Sequence, residues 1–448
     1  MPDVLHLKPE EIDTNEKREK YTVSVIGCEE KGVFYALAFA EVGFKVICTD
    51  ADQTLVKRLA KGKTMFHDRE TESKLKSFLR RGRLSVTSEL KNAVSQSDIV
   101  VMTLSAKIDG KQHADYLDVK NACKQVGTSI RRDTLFIYGG VAGLGFTEGV
   151  VKETLEDTSG LRVGEDIGLI YSLIHFGGEQ PSDSIKDQEL KVAAADRTSL
   201  DSAVSVLGTI TRKGVKPILN VKTAEAALLF TIAKQDANLA LANELAVFCE
   251  SADIDYFKTQ KLVDAQESSF SPKVEAAEDS GREAYLLLES GENLNAKLRL
   301  PALARKINED MVRHAIKLTR EALHSCGKTL RRARVAVLGS EKPTTMLFAK
   351  MLEKKGAKVS LYDSLLPKND RTNMARMFKR SLKEAVEGAD CVVMLTKRYR
   401  VKRLNLKKLR ALMKMPAAMV DLTGTIESKR VERYGFAFGG LGSGVEKK

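Results

Sequence analysis

The chain has 448 residues, too many for one hydrophobic core, so two or three domains are expected. Hydrophobic content of 43% and charged content of 30% describe an ordinary soluble globular protein, and no run of about 18 apolar residues is present to span a membrane. The net charge of +13 would suit a polyanion, but a basic proteome background or a phosphate-rich ligand explains it equally well.

Residues 1–20, MPDVLHLKPEEIDTNEKREK, are polar and mixed in charge without an apolar signal core, and read as a short lead-in that could stay disordered. The next stretch, VSVIGCEEKGVFYALAF from Val23 to Phe39, is a buried strand, a glycine turn and a small-residue helix. The dinucleotide fingerprint G-x-G-x-x-G would place glycines at 27, 29 and 32; Gly27 and Gly32 are present, but Glu29 and Glu30 follow Cys28. The helix closes at Gly43, and FKVICTDAD is a second strand with Asp50 at its end. Asp50 stands where an acid would hold adenosine ribose hydroxyls, although a helix N-cap suits it too. Gly27, Gly32 and Asp50 are thus the candidate cofactor-binding residues. A carboxylate about 5 Å from a pyrophosphate costs roughly 3 kcal/mol at an effective dielectric near 20, about two decades in affinity. NAD binding is expected to be weakened by Glu29 rather than excluded, and an adenosine-type ligand without a pyrophosphate crossing is the other option.

SDIVVMTLS, RRDTLFIYGG and EDIGLIYSLIHF continue a β-α-β rhythm that predicts a parallel, doubly wound sheet. From Thr223 the period becomes helical, and TAEAALLFTIAKQDANLALANELAVFCESA predicts one helix of some thirty residues. RVAVLGS, AKVSLYD, ADCVVMLT and AAMVDLTG then restore the strand pattern. The expected fold is α/β: two Rossmann-like doubly wound domains joined by a long central helix. The expected domains are 21–215 (Rossmann-like), 216–328 (central and helical, with a long helix of the kind that bridges domains or builds a dimer interface) and 329–448 (Rossmann-like).

The six cysteines are scattered without paired spacing, which predicts reduced thiols in a cytoplasmic protein, and no clustered histidine or cysteine spacing supports a metal site. The stretch 396–414, TKRYRVKRLNLKKLRALMK, carries seven of its basic residues at Lys397, Arg398, Arg400, Lys402, Arg403, Lys407 and Lys408. With Lys379 and Arg380 it could meet a nucleotide diphosphate, RNA or an acidic partner; a solvated helix face is preferred, and with only Tyr399 interleaved, nucleic acid is not expected.

GEDIGLIYS (164–172), VKTAEAALLF with NLALANELAVFCE (221–250), RVAVLG with GAKVSLYD (334–363) and GFAFGGLGSG near the C-terminus resemble the nucleotide-sugar 6-dehydrogenases, the UDP-glucose/GDP-mannose dehydrogenase group. The UDP-N-acetylmannosamine dehydrogenase branch looks nearest, and the likeness runs from Tyr21 to Gly444. The resemblance implies an NAD-binding Rossmann domain, a dimer formed through the long helix, and a C-terminal domain holding the sugar nucleotide. It also implies a double oxidation of the sugar C6 alcohol to a carboxylate, in which a cysteine carries the aldehyde as a thiohemiacetal and then a thioester.

The residues this chemistry needs are replaced. The family's G-G-x-C-x-P turn would precede AYLLLESGENLNAKLRLPALARKINEDM (284–311), but the stretch there, QESSFSPKVEAAEDSGRE, has no cysteine, and none lies between Cys249 and Cys326. The lysine and asparagine one turn apart on the long helix correspond to Leu228 and Ile232, with Lys234 expected to be solvated. The S-P-E motif becomes Leu173, Ile174 and His175, which leaves His175 as the one candidate base. The Ser-Thr pair becomes Gly140 and Val141 in a glycine-rich loop expected to be mobile, and D-G-R-N becomes Asp421, Leu422, Thr423 and Gly424. A lysine- and arginine-containing loop of the family is contracted to 340–346.

The expected function is a catalytically degenerate homologue that binds a nucleotide or UDP-sugar as a regulatory or scaffolding subunit. It would be a homodimer through 223–250 or a partner of an active paralogue. The alternatives are an active NAD-dependent UDP-sugar dehydrogenase with rearranged residues, and a polyanion- or nucleic-acid-binding protein.

Overall fold

A computed structural model describes residues 3–64, 68–174, 185–263, 271–275, 282–339, 343–363, 377–396 and 404–445. By internal contacts the chain divides into two compact units, Met1–Thr231 with Tyr285–Ala296, and Ile232–Ala284 with Lys297–Lys448.

The first unit is built on β1 (Thr22–Ile26), β2 (Lys45–Thr49), β3 (Leu84–Thr87), β4 (Ile99–Met102), β7 (Leu135–Tyr138), β8 (Gly168–Leu173), β9 (Leu190–Ala194) and β10 (Val215–Ile218), with a small antiparallel pair, β5 (Lys107–Ile108) and β6 (Ala114–Asp115), outside the sheet. The eight strands run in the order β10-β9-β8-β7-β4-β1-β2-β3, parallel except between β8 and β9. The chain reverses its direction of travel through the sheet between β1 and β4, the switch point at which open α/β sheets bind ligands. β4 and β7 are buried along their whole length, as strands covered on both faces must be. Helix α1 (Glu30–Glu41) is buried from Gly32 to Ala40, and its Phe39 meets Phe44 edge to face at 5.3 Å between ring centroids.

The described part of the lead-in, residues 3–20, packs into the fold rather than staying disordered. Val4, Leu7 and Ile12 belong to the core of this unit, and the Ser202 hydroxyl donates to the Leu5 carbonyl at 2.6 Å. Its apolar residues are few and spaced among charges, so average polarity conceals them.

The long helix, α2 (Val221–Ala252), has 32 residues without glycine or proline, and the division between the units falls inside it, after Thr231. The second unit adds α3 (Tyr256–Val263), α5 (Arg299–Ser325), α6 (Pro343–Lys354) and α7 (Leu406–Leu412), while α4 (Ala284–Asn293) belongs almost wholly to the first. Its sheet runs β12-β11-β13-β14-β15-β16, from β11 (Arg334–Leu338), β12 (Lys358–Tyr362), β13 (Cys391–Met394), β14 (Ala418–Asp421), β15 (Ala437–Gly440) and β16 (Gly444–Val445), with only the last pair antiparallel. The expected strands and long helix are thus all present.

Within this unit α2 and α5 are locked by a buried polar chain. Arg305 Nε lies 2.9 Å from Asp236 Oδ2, the Asn308 amide donates to Asp236 Oδ1 at 2.8 Å, and the Asn243 amide donates to Asn308 Oδ1 at 2.9 Å. Burial pushes the Asp236 carboxyl up, with Arg305 and Asn308 pulling back. Removing one partner from such a buried network leaves an uncompensated charge or polar group, which is strongly destabilising.

Candidate functional site

The turn after β1 is defined by close backbone approach. Gly27 has φ +87°, and a Cβ there would lie 2.8 Å from Leu104 Cδ2. A Cβ on Gly32 would lie 1.8 Å from the Gly27 carbonyl oxygen, so α1 can start here only with glycine. Gly27 donates its amide to Thr49 O at 3.0 Å and accepts the Thr103 hydroxyl at 2.8 Å, which ties the turn to β2 and β4. Glu29 precedes α1 in extended conformation, exposed, and its side chain makes no cap bond.

Asp50 braces the same turn. Its Oδ2 accepts the Cys28 amide at 2.7 Å and its Oδ1 accepts the Asp52 amide at 2.9 Å. The N-cap role open to it on sequence belongs instead to Asp52, which accepts the Thr54 amide at 2.7 Å. Gly27, Gly32 and Asp50 therefore come together at the β1 end of the switch point.

Lys31 was not singled out by its position in the turn. Its Nζ donates to the Gly139 carbonyl at 3.0 Å and so reaches from the β1 turn to the end of β7, past β4, which lies between them in the sheet. Lys107, beyond β4, pairs with Asp118 at 2.5 Å; Asp118 first, then Glu29 and Asp115, raise its pKa.

The loop after β7 is fixed rather than mobile, because its amides are taken up by side chains. Gly143 donates to the Tyr116 hydroxyl at 3.2 Å and Leu144 to Ser290 Oγ at 3.2 Å. Gly145 and Thr147 donate to the two Glu225 oxygens at 2.6 and 2.8 Å. Glu225 is buried; burial pushes its carboxyl up, and the Thr147 and Gly145 bonds only partly offset this. An acid inside an Ala- and Leu-rich helix was the signal for it. At Gly140 a Cβ would lie 2.0 Å from Leu104 O and 2.6 Å from the Tyr138 hydroxyl, so the loop admits no side chain where the resemblance implies one.

The positions matched to catalytic residues lie in packed surroundings: Leu228 is 1% exposed, Ile232 5%, Ile174 2% and Val141 2%. Lys234 is exposed, as expected. His175 lies outside the described residues, as do 264–270 and 276–281 of the shortened loop. Between these, Lys273 donates its amide to Asn243 Oδ1 at 2.9 Å and Val274 is buried. Cys249 is buried among Ala242, Ala246 and Tyr256, and burial raises its pKa.

In the second unit the Asp421 carboxylate accepts the Thr423 amide and hydroxyl at 2.9 and 2.6 Å and the Thr425 and Ile426 amides at 2.7 Å each. It organises the turn 421–426 from within. The described part of the basic stretch is amphipathic: Leu406 and Leu409 are buried on α7, and Lys407 and Lys408 are exposed. Residues 397–403 lie outside the described residues. A polar cavity of about 330 Å³ lies among Arg334, Lys358, Lys379, Glu384 and Glu387, at the starts of β11 and β12 and not at the strand ends where such sheets hold ligands. Among the described residues no group of side chains could hold a metal ion, and no helix is long and apolar enough to cross a membrane.

Residues 21–173 match the model of the UDP-glucose/GDP-mannose dehydrogenase family, NAD binding domain, and residues 344–428 match that of the same family's UDP binding domain. The UDP-N-acetyl-D-mannosamine dehydrogenase of Pyrococcus horikoshii is 24% identical over 442 residues, covering 94% of this chain and 99% of that one. The UDP-glucose 6-dehydrogenase of Rhizobium meliloti is 24% identical over 451 residues, with the same coverage of each. A solved structure of the Pyrococcus horikoshii UDP-D-ManNAc dehydrogenase superposes with a TM-score of 0.82 at 23% identity, over 94% of this chain and 99% of that one, a likeness of fold.

Proposed function

The chain belongs to the UDP-glucose/GDP-mannose dehydrogenase family, and from that premise we propose that it is a catalytically silent member. It binds a nucleotide or sugar nucleotide and serves as a regulatory or scaffolding subunit. The observation that carries this reading is the burial of Leu228 and Ile232, at 1% and 5% exposure, where the resemblance implies a lysine and an asparagine. Burying an aliphatic side chain of this size stabilises by about 1.5–3 kcal/mol, so the two positions serve packing. The thiol is missing as well. Cys249 is enclosed with its pKa raised, which leaves little thiolate to attack an aldehyde, and no cysteine lies between it and Cys326.

The same reading includes self-association through α2. Leu241, Leu245 and Phe248 lie at i, i+4 and i+7 on that helix and are 58%, 46% and 62% exposed. Exposed apolar residues scattered singly are ordinary, but three on one helical face favour a partner helix.

Calorimetric titration with UDP-sugars, alongside an assay for NADH formation with the same sugars, tests the function. Binding of a UDP-sugar without NADH production is expected. Sustained NADH production would overturn the silent reading.

A further inference from the structure

We infer that the second unit carries, along the edge where its parallel strands begin, a track for the phosphate backbone of a nucleic-acid duplex. This goes beyond the silent-enzyme reading and uses the edge opposite the strand ends at which such sheets hold nucleotides.

The charge of the chain is unevenly placed. Residues 329–448 hold 28 lysines and arginines against 11 acids, whereas residues 1–328 hold 45 against 49. A basic proteome background would load both stretches alike, so the excess belongs to the second one.

Five cations of that stretch lie in a row across the sheet. Lys358 and Arg334 are register partners that open β12 and β11. Arg331 lies over the turn into β12, its Cγ 3.1 Å from where a Cβ on Gly356 would stand. The Arg334 guanidinium reaches towards β13, with Nη1 2.9 Å from the place of a Cβ on Gly388. Lys414 donates its amide to Ala389 O at 3.0 Å, beside the start of β13 and ahead of β14. Arg410 closes the row, its Cζ 3.8 Å from the place of a Cβ on Gly435, just before β15. All five are exposed, and among the described residues none is ion-paired; Lys328, next to them, is paired with Asp390 at 2.7 Å. Glu384 and Glu387 share the adjoining cavity with Arg334, Lys358 and Lys379, which keep it net positive.

Strands about 4.8 Å apart spread this row over about 19 Å from β12 to β15. One strand of a duplex places a phosphate every ~3.4 Å of axis, so about five phosphates face the row. A line of cations matches a linear polymer of charge, whereas a bilayer would meet a basic plane. Leu347 and Tyr434 are the large apolar side chains left exposed among the described residues of 329–448, too few for the apolar centre of a protein interface. Single strands need aromatic platforms for their bases, but a duplex keeps its bases stacked inside and offers its phosphates.

Fluorescence anisotropy of the full chain with a labelled duplex of about 20 base pairs, from about 50 to 200 mM salt, tests this. Binding is expected whatever the base sequence, with log affinity falling against log salt at a slope of about −4.5, a loss of roughly 500-fold over that range. Arg331→Ala/Arg334→Ala and, separately, Arg410→Ala/Lys414→Ala should each reduce the slope by about 2 while unfolding stays cooperative. Lys61→Ala/Lys91→Ala, at exposed positions of the first unit, should leave it unchanged. Absence of binding at about 50 mM salt, or a slope that neither pair alters, overturns the inference. So does tighter binding to a single strand of the same length or to phosphatidylserine vesicles. None of these results bears on the UDP-sugar titration, so the two proposals fail separately.

Discussion

Phe257 occupies the space that any side chain at position 424 would need. A Cβ on Gly424 would lie 2.0 Å from the ring Cζ, and Gly424 has φ +65°. The ring thus seals the outer face of the turn that Asp421 organises from inside. Gly424→Ala combines overpacking with an unfavourable backbone angle and should destabilise the protein by about 3 kcal/mol or more. Adding Phe257→Ala should remove the clash but not the backbone strain. Urea unfolding should therefore show the double variant more stable than the sum of the singles by about 1–2 kcal/mol. Additive losses would mean that the ring does not bear on the turn.

Rebuilding the matched catalytic pair should fail. Leu228→Lys places an ammonium at a site that is 1% exposed, and should cost about 3 kcal/mol or more in stability. The Leu228→Lys/Ile232→Asn double variant should make no NADH with any UDP-sugar. A variant of native stability that turned over substrate would refute the view that these positions have become packing.

Asp390 supplies a pH dependence of known sign. Burial pushes its carboxyl up, but the Arg334 amide at 2.8 Å and the Lys328 ammonium at 2.7 Å together outweigh burial and hold it below 3.8. A lowered folded pKa means that the unfolded chain binds more protons below 3.8. The contribution is therefore full above that pH and is lost as pH falls through the folded value. Asp390→Asn should lose about 2 kcal/mol at neutral pH, and the gap to the native protein should close in acid. Unfolding midpoints measured from neutral pH down into acid check this; a constant gap would assign the loss to packing.

The exposed face of α2 predicts an oligomer. Sedimentation velocity on Leu241→Glu/Phe248→Glu should show a lighter species than the native protein at equal concentration. Equal sedimentation would remove this face from consideration.

Much of this architecture is legible in the sequence because parallel strands covered on both faces are continuous apolar runs, as in IVVM and LFIY. The glycines at 27 and 32 are legible because their spacing is dictated by one local turn. What escapes is long-range. The Lys31 bridge joins residues 108 apart, and Glu225 meets Gly145 and Thr147 from 80 and 78 residues away. Nothing near Lys31 marks its partner, and the glycine-rich loop reads as mobile because its restraints come from Tyr116, Ser290 and Glu225. Local composition also hid the lead-in, whose anchors are the buried Val4, Leu7 and Ile12 and the bond from the distant Ser202.

Gly27 and Gly32 are required by contacts within the chain, with or without anything bound beside them. In this chain the glycine spacing therefore reports a tight chain reversal, and says nothing by itself about a bound coenzyme. The side chain at the middle of the turn, Glu29, is exposed and makes no cap bond, so its identity answers to whatever approaches from outside.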